Sequence, residues 1–307
     1  MTKVVLKTHK LTKVYGKQTV NKNISINVKK GEIYGLVGKN GAGKTTLIRM
    51  ITGMAHKTSG QIEIFGEVEN HKLNKVRESI GSLIEMPAFY EDMTAKENLE
   101  VSRLVRNIAS KNSIDEVLEL VGLQNTGKKK FKNFSLGMKQ RLGIANALLG
   151  NPRLLILDEP INGLDPVGII EIRELLKKVN QEKDVTILIS SHILGELSEI
   201  ATSYGFIDNG ELVQEISATD LEEKCKQYID LSVDNASKAV TILEKNFNNI
   251  SYEVLPNNKI KIFNNLEKVG NINMILATNG VIVENIGLNN DNLEGYFMNI
   301  IGGTQHA

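Results

Sequence analysis

Gly38-Lys39-Asn40-Gly41-Ala42-Gly43-Lys44-Thr45-Thr46 is the stretch on which the reading of this chain turns. It has the Gly-x-x-x-x-Gly-Lys-Thr spacing of a phosphate-binding loop. A continuous apolar run, Glu32–Val37, precedes it and reads as a buried strand. A helical pattern over Thr45–Gly53 follows it, which is the context the motif requires. Glycines let successive backbone N–H groups turn inward around phosphate oxygens, and the helix adds the positive end of its dipole. Lys44 is then placed to reach the β- and γ-phosphates of a nucleoside triphosphate, and Thr45 to set its hydroxyl on Mg²⁺. Gly38, Asn40, Gly41, Ala42, Gly43 and Thr46 complete the cradle.

A second motif matches this chemistry. Leu154-Leu-Ile-Leu-Asp158-Glu159-Pro160 is an apolar strand that delivers two adjacent carboxylates to one sheet edge. Ligands sit at that edge in open α/β sheets. Asp158 is a candidate Mg²⁺ ligand, and Glu159 a candidate general base or orienter for an attacking water. By itself, an apolar run ending in Asp-Glu is an ordinary strand meeting solvent; the phosphate loop makes it specific.

The rest of the first 217 residues supports an α/β core with a mostly parallel sheet. Val4–Thr8 and Ile24–Val28 read as strands, Leu154–Leu157 and Thr186–Ile189 as short buried strands, and Val167–Asn180 as a helix. Residues 86–134 read as a helical insert, with Leu99–Ile108 and Ser113–Val121 helical. Within it, Thr94 and Glu97 have capping-box spacing just ahead of the first of these helices. After about residue 218 the texture changes and asparagine becomes frequent. Strand, helix, hairpin, helix and strand follow at Tyr228–Val233, Ala236–Lys245, Ser251–Leu255 with Lys259–Phe263, Leu266–Ala277 and Val281–Ile286. A last helix is expected over Leu293–Ile301. This βαββαβ order predicts a small, ferredoxin-like α+β domain.

Bulk composition narrows the classes. The chain has 307 residues, 41% of them apolar, and a formal net charge of +1. That balance gives no basic grip for nucleic acid, and Lys128–Lys130 is short enough to be a solvated turn. A single cysteine, Cys225, forms neither an internal disulfide nor a multi-cysteine metal site. No apolar stretch approaches the roughly 20 residues that span a bilayer. The chain is expected to be soluble by itself, so that any membrane span comes from another chain.

With both motifs in place, residues 1–217 resemble the ATP-binding cassette (ABC) family of ATPases, with a helical subdomain at about 86–150 and an accessory domain over 218–307. Phe134-Ser135-Leu136-Gly137-Met138-Lys139-Gln140-Arg141 is similar to the family's signature, usually Leu-Ser-Gly-Gly-Gln; Ser135 and Gly137 match, while Leu136 and Met138 depart. Asn162-Gly163-Leu164-Asp165 matches the D-loop, His192 the switch histidine, and Tyr15 the aromatic position that stacks on adenine. The alternative for Tyr15 is a half-buried core tyrosine. The resemblance implies ATP and Mg²⁺ as ligands and a P-loop fold with a mixed sheet. It implies a homodimer in which Ser135 and Gly137 of one copy face the γ-phosphate held by the other. His192 would hydrogen-bond that phosphate.

Glu85 departs from the family's usual glutamine. Ile80–Tyr90 and Ser135–Met138 look like the bacitracin-type and lantibiotic-immunity exporters. That branch implies Glu85 as a possible Mg²⁺ ligand and sensor of ATP. It implies a separate permease, docked near Met86, Pro87, Phe89 and Tyr90, and peripheral attachment to the cytoplasmic face of a membrane. The tail Asn292–Phe297 resembles that of such cassettes. Other classes stay open: an importer subunit, a soluble ABC ATPase in translation, repair or metallocluster assembly, and a non-hydrolysing sensor. The chain has one cassette and no long coiled coil, and it retains Glu159 and His192, which disfavours the soluble and non-hydrolysing classes.

Overall fold

The chain opens with β1 (Val4–Tyr15), β2 (Gln18–Ile24) and β3 (Asn27–Lys29). The computed structural model describes residues 3–68, 70–225, 227–290, 295–297 and 300. β1 pairs antiparallel with both following strands. The sequence predicts one strand over Ile24–Val28; the structure breaks it. The Thr8 hydroxyl donates to Ile24 O and accepts from Ile26 N, both at 3.0 Å, so it replaces the ladder bonds at that point. Next come β4 (Ile33–Val37), α1 (Lys44–Thr52) and β5 (Ser59–Ile64). β5 joins β1, completing a four-stranded antiparallel sheet that the sequence pattern did not reveal.

α2 (Asn70–Arg77) and β6 (Ile80–Leu83) lead to three helices, α3 (Ala95–Val105), α4 (Asn112–Leu120) and α5 (Leu136–Leu148). Thr94 and Glu97 form the full capping box at the start of α3. Then follow β7 (Leu154–Asp158), α6 (Pro166–Lys183), β8 (Thr186–Ser191), α7 (Leu194–Leu197), β9 (Ser203–Asp208) and β10 (Glu211–Ser217). Asp165 caps α6 and Pro166 takes its first turn, where a missing N–H costs nothing.

A six-stranded sheet runs β10-β9-β4-β8-β7-β6. Every pair is parallel except β10 with β9. β4, β7 and β8 are buried along their whole length, as strands covered on both faces must be, and this is why they read as unbroken apolar runs. Because they run the same way, their C-terminal ends meet at one edge. Leu47, Ile48, Met50 and Ile51 of α1 pack into this core with Leu154, Ile156 and Leu188.

The packing between β4 and β9 leaves no room for a methyl group. A Cβ on Gly205 would lie 2.1 Å from the Tyr34 hydroxyl. That buried hydroxyl donates to Glu215 Oε1 at 2.7 Å. Burial, then the Glu215 carboxylate, holds the phenol well above its usual pKa, so it stays a neutral donor. Gly205→Ala is expected to cost about 1–3 kcal/mol through overpacking. A calorimetric midpoint lower by several degrees is the expected result for the unit that holds Gly205, at about 2–4 °C per kcal/mol for a unit of that size.

Contacts divide the chain into two compact units, Met1–Ala218 with Ile300–Ala307, and Thr219–Asn299. After α8 (Ala218–Lys224), the smaller unit contains β11 (Gln227–Val233), α9 (Ala236–Asn246), β12 (Tyr252–Leu255), β13 (Lys259–Ile262), α10 (Val269–Thr278) and β14 (Val283–Asn290). Its antiparallel sheet has the order β12-β13-β11-β14. Ile229, Leu231, Leu243, Ile260, Ile262, Ile272 and Leu276 form its own core. Asn257 and Asn258 take positive φ in the β12–β13 turn. Leu266–Lys268 forms a separate tight turn before α10, so the helix starts later than its apolar pattern. Of the helix expected over Leu293–Ile301, Gly295, Tyr296, Phe297 and Ile300 are described and helical; the other positions, and Asn292–Glu294 of the tail motif, lie outside the described residues.

Candidate functional site

The loop Gly38–Gly43 joins β4 to α1 at the sheet's C-terminal edge. Gly41 and Gly43 take φ of 82° and 103°, where a side chain is strained. Gly43 caps α1 without any side-chain hydrogen bond, so the first-turn N–H groups are not consumed by a capping side chain and can face an anion.

Lys44 is only 5% exposed. A buried ammonium must be paired. Its Nζ donates to Gly38 O at 2.6 Å and Lys39 O at 3.2 Å, and lies 3.1 Å from Glu159 Oε1. Thr45 Oγ1 donates to Asp158 Oδ2 at 2.7 Å, which sets two hard oxygens together where β7 ends. That pair fits Mg²⁺, which takes oxygen ligands and keeps phosphate and water as the others.

Ser190, near the end of β8, organises the carboxylates. Its hydroxyl donates to Asp158 Oδ1 at 2.6 Å and accepts from Glu159 N at 2.9 Å. Glu159 has φ of 49°, an uncommon conformation for a non-glycine residue and one found at functional sites. Its Oε2 lies 2.7 Å from His192 Nδ1. The carboxylate is thus held between an ammonium and an imidazole. Sequence reading put His192 on a phosphate; here Nδ1 is engaged by Glu159.

Ser135, Asp165, Glu85 and Tyr15 have other partners. Ser135 is exposed and caps α5, its Oγ accepting from Met138 N at 3.3 Å. A Cβ on Gly137 would meet nothing nearer than Leu164 Cδ2 at 3.9 Å, so this backbone is open to approach. Asp165 accepts from Gly168 N at 3.0 Å as the cap of its own helix. Tyr15 is 48% exposed, with Lys13 Nζ 4.4 Å from its ring centre, which does not fit a core tyrosine. Glu85 pairs with Arg49 and is not bonded to Thr45 or Asp158. Arg49 lies one helical turn beyond Thr45 on α1, so it is a nearby cation for that carboxylate. Ser190 and Arg49 escaped the sequence reading. A polar pair, Ser190-Ser191, ending an apolar run was the available signal for the first.

The ABC transporter family model matches residues 21–162. Bacitracin transport ATP-binding protein BcrA of Bacillus licheniformis is 47% identical over 299 residues, covering 97% of this chain and 98% of that protein. Lantibiotic transport ATP-binding protein SrtF of Streptococcus pyogenes is 46% identical over 212 residues, covering 69% of this chain and 90% of that protein. Among solved structures, a dimeric post-hydrolysis ATP-binding cassette bound to ADP and Pi superposes with a TM-score of 0.63 at 26% identity, covering 69% of this chain and 98% of that one. Relatedness along the whole chain, over a phosphate loop and paired carboxylates arranged in this way, makes the chain a member of the ABC transporter family.

Proposed function

We propose that this chain is the ATP-hydrolysing subunit of an exporter that moves peptide antibiotics out of the cell or confers immunity to them. ATP binding and hydrolysis follow from family membership. The observation that carries the hydrolytic role is Glu159, held between Lys44 and His192 beside the Thr45–Asp158 pair. In this reading Lys44 and the first-turn N–H groups of α1 bind the β- and γ-phosphates. Thr45 and Asp158 would hold Mg²⁺, which would supply positive charge against the phosphates. Glu159 takes a proton from the attacking water, with His192 orienting the carboxylate. Tyr15 stacks on the base. The export role is supported by the full-length bacitracin transport relative and by the lantibiotic transport relative.

Two copies complete the site in this proposal. Ser135 and Gly137 are open to approach from outside, and Ser135 bonds within its own helix, which suits a role across a homodimer. No helix among the described residues is long and apolar enough to cross a membrane, so a separate permease supplies the span. Met86, Tyr90, Leu104 and Val105 are exposed apolar side chains of the helical segment and support docking there, at the cytoplasmic face. Catalysis is assigned to residues 1–217, with the helical subdomain at about 86–150. Residues 218–307 are assigned to an accessory, ferredoxin-like domain, on its βαββαβ order.

Expression of the chain with its permease, followed by co-purification, ATPase assay and a bacitracin or lantibiotic tolerance test, checks this function. An ATPase that co-purifies with no polytopic membrane protein would count against it. Glu85 is assigned the relay of nucleotide state to the permease, from its place in the loop joining β6 to the helices. Glu85→Ala is expected to lower transport about fivefold or more while ATP binding holds, the size of a modest coupling energy. Unchanged transport at equal protein level would remove Glu85 from that role.

A further inference from the structure

We propose that Asn21 and the tip of the β9–β10 hairpin clamp the phosphate loop from outside, making Asn21 a positioning residue for ATP binding. The proposal rests on the reading of Gly38–Thr46 as the ATP loop.

Glycine has the widest backbone freedom, so a glycine-rich loop needs hydrogen bonds to fix its shape. Lys44 Nζ to Gly38 O and Lys39 O, and Ala42 N to Lys39 O, hold the first part from within, and the second part is also held from outside. Two hydrogen bonds do this at consecutive peptide planes. Gly210 N donates to Ala42 O at 3.1 Å. Asn21 Nδ2, on β2 and fully buried, donates to Gly43 O at 3.1 Å, a carbonyl that also accepts from Leu47 N at 3.0 Å as the first bond of α1. In a trans peptide the N–H points opposite to the C=O. Drawing the Ala42 and Gly43 carbonyls outward therefore turns the N–H groups of Gly43 and Lys44 the other way, toward the phosphates.

The hairpin tip is shaped for the task. Asn209 and Gly210 take φ of 47° and 79°, as a two-residue turn of this type requires. A Cβ on Gly210 would lie 2.3 Å from Val20 O, so only glycine allows this approach. Lys22 N donates to Gly210 O at 2.7 Å, and Lys22 Nζ pairs with Glu211 Oε1 at 2.5 Å. The loop, β2 and the hairpin thus form one hydrogen-bonded unit.

Asn21 is a poor choice for stability alone. Its Oδ1 is buried and meets no donor among the described residues. A buried acceptor left unpaired is destabilising, and an apolar side chain of the same shape avoids that cost. What the amide supplies, and leucine cannot, is the donor to Gly43. Function and stability should therefore move in opposite directions in Asn21→Leu.

The test uses the full chain, a fluorescent ATP analogue for equilibrium binding, steady-state ATPase, and the thermal midpoint without nucleotide. Asn21→Leu is expected to weaken ATP binding about threefold to tenfold, the equivalent of one buried hydrogen bond. KM should rise in step, kcat should stay within about twofold, and the midpoint should hold or rise. Wild-type affinity in the variant would overturn the clamp. So would a lower midpoint with unchanged affinity of the folded fraction, the mark of a merely structural residue. Asn21→Ala removes the donor without adding bulk, and the same rise in KM is expected should the leucine variant not fold. A wild-type chain that failed to bind ATP would instead remove the reading of the loop, which separates the two failures.

Discussion

Glu159→Gln is expected to stop turnover while leaving ATP bound. The amide has the shape of the carboxylate, so the contacts at 3.1 Å to Lys44 and 2.7 Å to His192 keep their geometry. What disappears is the ability to take a proton from water. General-base catalysis is worth about 10²–10⁴-fold, and a loss of ATPase rate in that range is expected. ATP affinity should hold or rise, because one negative charge beside the triphosphate is gone. Under the dimer proposal, bound ATP then persists and the paired form accumulates, which size-exclusion chromatography with and without ATP reads directly. A variant hydrolysing ATP at the wild-type rate would contradict the role given to Glu159.

Lys44→Ala should give the opposite signature. Lys44 is buried, and its ammonium ties Gly38 O and Lys39 O to the Glu159 carboxylate. Truncation leaves two carbonyls without their donor and a carboxylate facing the triphosphate with no cation between them. In the proposed binding role, truncation also removes charge-assisted hydrogen bonds to the phosphates, worth about 1.5–3 kcal/mol each, so ATP affinity should fall by about tenfold to a hundredfold or more. Equilibrium binding measures this, with circular dichroism to check that the fold persists. Near wild-type affinity combined with lost turnover would move Lys44 from binding to hydrolysis. The two variants together separate holding ATP from cutting it.

The parts of this site legible in the sequence are those where backbone geometry dictates residue type. Gly41 and Gly43 need positive φ, the buried strand β7 needs an apolar run, and Thr45 must follow directly on the loop. The helix cap at Thr94 is legible for the same reason. Contacts between side chains distant in sequence leave no such trace. Arg49 meets Glu85 across 36 residues, and Asn21 meets Gly43 across 22, with no periodicity to announce either. The antiparallel sheet was hidden because β1 is exposed at alternate and irregular positions and is bent at Lys10, which takes a positive φ. Thr8 reads as an ordinary strand residue, yet its hydroxyl splits the expected strand Ile24–Val28.

The strand order β4-β8-β7 has a consequence for how the chain is made. A ribosome releases β4 early and β7 much later, and Thr45 waits 113 residues for Asp158. Even then the two strands cannot pair, because the strand between them is β8, which emerges last of the three. Until β8 emerges, β4 and β7 each lack the neighbour that pairs their backbone N–H and C=O groups, a state prone to wrong pairing. Contacts this distant in sequence also close slowly. ATP cannot help the early chain, since its loop has no Asp158 and its carboxylates no Ser190. Once β8 has paired, a nucleotide that binds the finished sheet stabilises it by mass action. The substrate of the cycle thereby also rewards completed synthesis.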